Sequence, residues 1–131
     1  MKPPKAEQGK RVKTPAADQG SKKEHLTVSL RYLRKSHCLS NCDQEEKAAF
    51  ADQIRQLTQL SWMEIGQKPR HGLGYEKIAR TSLKVQLPDH LTPDVNILAF
   101  RFSGLKPMVG YKDGETFHVL WFDRAFDVYP H

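Results

Sequence analysis

Residues 96–131, NILAFRFSGLKPMVGYKDGETFHVLWFDRAFDVYPH, constrain the fold more than any other stretch. Side chains alternate between the two faces of a β-strand, so period two in hydrophobicity reports a strand with sorted faces. Leu98, Phe100 and Phe102 fall on one face, and Ile97, Ala99, Arg101 and Ser103 on the other. The run SGLKP then predicts a turn, and Met108 to Tyr111 a short strand. Lys112-Asp113-Gly114 predicts a tight hairpin turn, because glycine tolerates the positive φ that such turns demand. Phe117, Val119 and Trp121 then alternate with His118, Leu120 and Phe122. Three strands joined by tight turns make an antiparallel meander.

Upstream, Leu26, Val28, Leu30 and Tyr32 alternate with Thr27, Ser29 and Arg31, which predicts a strand within 25–35. Residues 36–42, SHCLSNC, are polar and loop-like. Asp43 and Glu46 have the spacing of a capping box, in which each side chain satisfies a free backbone N–H of the helix start. Phe50, Ile54, Leu57 and Leu60 follow at helical spacing. The pattern predicts a helix over about 44–58 and a second, short one over about 61–66. Residues 67–74, QKPRHGLG, read as a loop. GYEKIAR predicts one helical turn, and Leu83, Val85 and Leu87 a strand ended by Pro88.

The element order predicts an α+β domain: a curved antiparallel sheet with a C-terminal meander, two short helices on one face and the other face open. Residues 1–24 carry almost no large apolar side chains and read as a disordered basic tail, leaving 25–131 as a single domain. The chain has 21 Lys+Arg against 15 Asp+Glu, a formal net charge of +6, which favours an acidic partner such as nucleic acid. Residues 1–23 hold seven of the basic residues and only Glu7 and Asp18 as acids, so the remainder is nearly balanced. No apolar run is long enough to span a bilayer, and the start lacks the apolar core of a secretory signal. Cys38 and Cys42 are too few and too close for a disulfide framework, which points to a reducing, cytoplasmic setting.

Four groups of side chains bear on chemistry. The meander and the C-terminal residues after it carry Arg101, Lys106, His118, Arg124, Tyr129 and His131. Cutting RNA without a metal requires a proton acceptor for the 2′-hydroxyl, a donor for the leaving 5′-oxygen and cations for the phosphate. His, Tyr, Arg and Lys supply these roles. The loop with Lys68, Arg70 and His71 is a second, phosphate-gripping candidate, set among glycines that let a ligand approach the backbone. His37, Cys38 and Cys42 lack the four regularly spaced ligands of a structural zinc site, so two reduced thiols are expected and no metal. The aromatics read as core packing for the most part, with base stacking as the alternative for any that are exposed. No nucleophile elbow, paired-carboxylate signature or dinucleotide-binding glycine run is present, and no small-molecule cofactor is expected.

The meander followed by Arg124 and Tyr129 resembles the RelE/ParE superfamily of bacterial toxins, in element order over residues 43–131 and most closely over 96–131. The resemblance implies helices packed on a curved antiparallel sheet. It implies a toxin of a toxin–antitoxin pair, an endoribonuclease cleaving mRNA on the ribosome by 2′-hydroxyl attack. RNA or the ribosome and an antitoxin protein would be the partners. By position, Arg101, Lys106 and Arg124 would stabilise the phosphate, and Tyr129 or His131 would transfer protons. The alternative is a non-catalytic module of similar fold that binds nucleic acid or protein, such as a gyrase inhibitor or a phage-encoded regulator.

Overall fold

The structure, a computed structural model, describes residues 24–131. The tail expected to be disordered therefore lies outside the described residues, apart from Glu24. The elements in chain order are β1 (Thr27–Ser29), α1 (Gln44–Leu57), α2 (Trp62–Gly66), β2 (Tyr75–Ile78), β3 (Ile97–Ser103), β4 (Lys106–Asp113) and β5 (Thr116–Phe122). The strands form one five-stranded sheet in the order β1-β5-β4-β3-β2. The α+β class is as expected. The sheet is mixed rather than antiparallel, because β1 runs parallel to β5 with Thr27 opposite Thr116. Among the described residues no helix is long and apolar enough to cross a membrane.

Both helices start where their capping residues dictate. Asp43 accepts from the Glu46 N–H at 2.8 Å, and Glu46 accepts from the Asp43 N–H at 2.8 Å. Ser61 and Glu64 form the same reciprocal pair at the start of α2. The apolar side of α1 and α2 (Phe50, Ile54, Leu57, Trp62 and Ile65) packs on Leu98, Phe100, Phe102, Met108, Phe117, Val119 and Phe122 from the sheet. Phe100 and Phe117 meet edge-on at 4.8 Å, an arrangement that aligns ring edges with ring faces.

The face expected to be open is covered. Ile97, Ala99, Val109, Tyr111, Leu120 and Trp121 are buried under Leu83, Val85, Leu87, Leu91 and Val95, joined by Val128 and Tyr129. The alternation of Leu83, Val85 and Leu87 thus reports burial, but the segment is not a strand. It hydrogen-bonds through the Lys84 N–H to the Val128 carbonyl instead of joining a ladder. Arg80 holds this layer down by donating to the Val95 carbonyl at 2.8 Å. GYEKIAR is likewise not helical. Tyr75–Ile78 forms β2 against β3, and an edge strand of four residues is too short to show its own period. The expected strand at 25–35 shrinks to three residues, because Ser29 accepts from the Arg31 N–H and a turn follows.

Trp121 also lies on the face opposite to the one that strict alternation predicts. Gly110 pairs with Val119 and Val109 with Trp121, so Leu120 is an extra residue in β5. Leu120 stays on the second face, and the bulge turns Trp121 to that face as well and Phe122 to the helix face. The Arg34 N–H bonds the Leu120 carbonyl at 2.9 Å. Glycine is required opposite the bulge, since a Cβ on Gly110 would lie 1.9 Å from the His118 carbonyl oxygen. Gly110→Ala is therefore expected to cost about 3 kcal/mol and to lower the melting temperature by roughly 10 °C or more. Circular-dichroism melting would check it, and an unchanged melt would refute this account of the bulge.

Candidate functional site

A cleft that gathers four of the nine sequence-predicted residues lies at the β3–β4 hairpin end of the second face. Arg70, Glu76, Arg101, Tyr129 and His131 line it. Arg101 is placed by β3, where the pairing with β4 shifts register after Arg101. Its side chain is half-buried and makes no hydrogen bond or ion pair with the described residues. Arg70 pairs with Glu76 at 3.2 Å across the mouth. Tyr129 is 7% exposed and stacks against His131 with ring centroids 4.1 Å apart. Burial pushes the Tyr129 phenol up to about 12; Glu76 and Asp123 push the same way, while Arg101 and Arg70 oppose them.

His131 is oriented by a residue that sequence reasoning missed. Asp123 is fully buried just after β5. Its carboxylate accepts from the Asp127 N–H at 2.8 Å and the Val128 N–H at 3.1 Å, and Nε2 of His131 lies 3.4 Å from Oδ2. Asp123 thus folds the segment after β5 back under the sheet and fixes one ring nitrogen of His131, which leaves Nδ1 for a ligand. No periodicity marks it, because a buried loop anchor is defined by backbone donors rather than by a repeat. Glu76 was missed because its strand reads as a helical turn.

A second groove adjoins the cleft and shares Arg101 with it; Gln53, Gln56, His71 and Gly72 are among its lining residues. The loop that presents His71 is held by the Gly72 and Gly74 N–H groups, both donating to the Pro69 carbonyl at 3.0 Å. A Cβ on Gly74 would lie 2.3 Å from the Lys68 carbonyl oxygen, so this tight loop needs glycine there. Lys68 is exposed and lines neither groove.

Three predicted residues sit elsewhere. Lys106 and Arg124 both close on Glu46, at 2.6 Å each. Glu46 is 2% exposed, so both cations are engaged in offsetting a buried carboxylate. His118 lies in a separate cavity with Tyr32, His90 and Tyr111. The six residues of the meander group therefore do not share one site: Arg101, Tyr129 and His131 converge, joined by Arg70, while Lys106, Arg124 and His118 do not.

Cys38 and Cys42 are both free thiols. Burial pushes Cys42 up, whereas a hydrogen bond with Ser40 draws Cys38 down. Among the described residues, His37, Asp123 and Asp127 bring one candidate metal-ligand atom each within 4.8 Å of the others. Their polar atoms already satisfy one another: His37 Nε2 is 2.9 Å from Asp127 and its Nδ1 is 2.8 Å from Ser36 Oγ. No protein family, curated protein or solved structure matches this chain.

The Glu46 cluster has a pH signature. Burial alone would raise its carboxyl, but hydrogen bonds from Lys106, the Asp43 N–H and Arg124 outweigh it and hold the group at about 2, against an ordinary 4.5. A carboxyl whose folded value is depressed stabilises fully above its unfolded value and loses that stabilisation as pH falls through the folded one. Glu46→Gln is expected to be less stable than the wild type by about 3 kcal/mol at pH 7. That gap should close progressively between about pH 4.5 and pH 2, as urea denaturation at each pH would show.

Proposed function

We propose that this protein is a RelE-like toxin of a toxin–antitoxin pair, an endoribonuclease that cleaves mRNA at the cleft formed by Arg70, Arg101, Tyr129 and His131. The observation that carries the reading is Arg101. A half-buried guanidinium without an ion-pair partner among the described residues, beside a second arginine, is poised for an anion such as a phosphodiester.

The cleft supplies each part of a transphosphorylation. Nδ1 of His131 accepts the 2′-hydroxyl proton, with Nε2 steadied by Asp123. The 2′-oxygen bonds to the adjacent phosphorus, and the bond from phosphorus to the 5′-oxygen breaks. Tyr129 remains protonated up to about 12 and gives its phenolic proton to the departing 5′-oxygen. Arg101 and Arg70 offset the charge that builds on the phosphoryl oxygens. The products are a 2′,3′-cyclic phosphate and a 5′-hydroxyl, and proton transfer from the imidazolium through water restores the phenol. The groove with His71 extends the track for the strand on the other side of Arg101.

The second reading is a binding module that holds nucleic acid or protein without cutting. It is favoured by one observation: Lys106 and Arg124 are spent on Glu46, which leaves fewer cations for the transition state.

The two readings differ in their products. The nuclease should release fragments ending in 2′,3′-cyclic phosphate from single-stranded RNA or ribosome-bound mRNA, and its expression should arrest growth. Arg101→Ala is expected to reduce cleavage about 10²–10³-fold, and His131→Ala or Tyr129→Phe about 10²–10⁴-fold. Lys68→Ala should leave it nearly unchanged. If all three cleft variants cleave and poison cells like the parent, the site assignment is wrong. If the wild type binds RNA in a salt-dependent manner but yields no fragments, the binding reading replaces it.

A further inference from the structure

The cavity around His118 lies apart from the cleft. Tyr111, on the same cavity, pairs with Ile97 on β3, and Arg101 lies four residues further along that strand, about 13 Å away. The cavity has a volume of about 360 Å³, within the range of small-ligand sites. Rings from four separate segments form its wall. Tyr111 and His118 are cross-strand partners and stack at 4.9 Å with planes 24° apart. Tyr32 lies 4.4 Å from His90 and 5.3 Å from His118. His90 closes the circuit through its Nε2, 2.8 Å from the Tyr111 hydroxyl.

Two features single this cluster out from ordinary packing. Nδ1 of His118 is buried without a hydrogen-bond partner, the one such side-chain atom among the described residues. A buried polar atom left unsatisfied is costly, and native structures hold few of them. The rings also line a cavity rather than fill it. Burial lowers the His118 pKa, so at neutral pH the ring is an uncharged stacking surface. Arg31, placed 5.1 Å over the Tyr32 ring, adds an exposed guanidinium at the rim.

We propose that this cavity is a nucleobase pocket, in which a base splayed out of single-stranded RNA packs against Tyr32 and His118 while Arg31 meets its phosphate. Aromatic walls and a rim cation match the base and the phosphate of an unstacked nucleotide. The pocket rests on the reading of the protein as RNA-binding, and it would hold a base upstream or downstream of the phosphate seated at Arg101.

The test measures binding, not cleavage. The full chain is titrated with AMP, GMP, CMP and UMP while the imidazole protons of His90 and His118 are followed by NMR. At least one monophosphate is expected to shift both rings with saturation. Tyr32→Ala and His118→Ala should each weaken that binding about tenfold or more, while Lys68→Ala, which lies outside this cavity, leaves it unchanged. If none of the four shifts the rings of the unaltered protein, or if Tyr32→Ala binds as the parent does, the pocket is overturned. Monophosphate binding by a protein that cuts no RNA would keep the pocket and refute the nuclease. Cleavage dependent on Arg101 with silent His118 resonances would do the reverse.

Discussion

The buried carboxylate of Glu46 is the contact on which the rest of the architecture depends. A charge that is 2% exposed is tolerable only with its hydrogen bonds complete. Glu46 meets that condition from three directions. It accepts from the Asp43 backbone at the start of α1, from Lys106 at the first residue of β4 and from Arg124 just past β5. One side chain therefore sets where the helix begins and where that start lies over the sheet. The same contact pulls Arg124 to the helix side while Tyr129 and His131 continue under the opposite face. The two clusters of apolar residues meet the sheet from either side of this crossing.

The bulge at Leu120 does a related job within β5 itself. Without it, Trp121 would point at the helices and Phe122 away from them. With it, Trp121 joins the second layer, and the freed Leu120 carbonyl receives Arg34 and closes the segment after β1 over the strand. That segment carries Tyr32 to His118. The irregularity in pairing thus places the aromatic cavity, much as the register shift after Arg101 places the cleft. Both candidate sites sit at departures from regular pairing, where strand geometry re-aims side chains.

How much was legible in the sequence depends on which interactions are local. The capping box of α1, the extent of that helix and the faces of β3 are written in spacing a few residues long, and each appears as read. The alternation of Leu83, Val85 and Leu87 announced burial correctly, but period two cannot say whether a backbone will find a ladder. The parallel placement of β1 and the strand at Tyr75–Ile78 depend on partners far along the chain. The site divides in the same way. Arg101, Tyr129 and His131 could be named by residue type, whereas their meeting rests on Asp123 capturing two backbone N–H groups of the returning segment. Arg124 and Lys106 are plausible phosphate ligands by type alone; the long-range contact that engages both with Glu46, away from the cleft, could not be read from spacing.

Charge therefore has to be argued locally in this protein. The excess of +6 is concentrated in residues 1–23, and the rest of the sequence is close to neutral. A near-neutral domain has little long-range field with which to steer a polyanion, and whatever attraction it has is screened over about 8–10 Å at ordinary ionic strength. A phosphate would have to be held by short-range contacts instead. The cleft is the place where such contacts are unspent: Arg101 is without a hydrogen-bond or ion-pair partner among the described residues, Arg70 has one half-buried carboxylate to exchange, and the phenol beside them stays neutral up to about 12. A neutral hydroxyl in a cleft with two guanidinium groups can donate toward an anion without adding a charge of its own. That combination, rather than the basic composition, is what gives this cleft its claim on a phosphodiester.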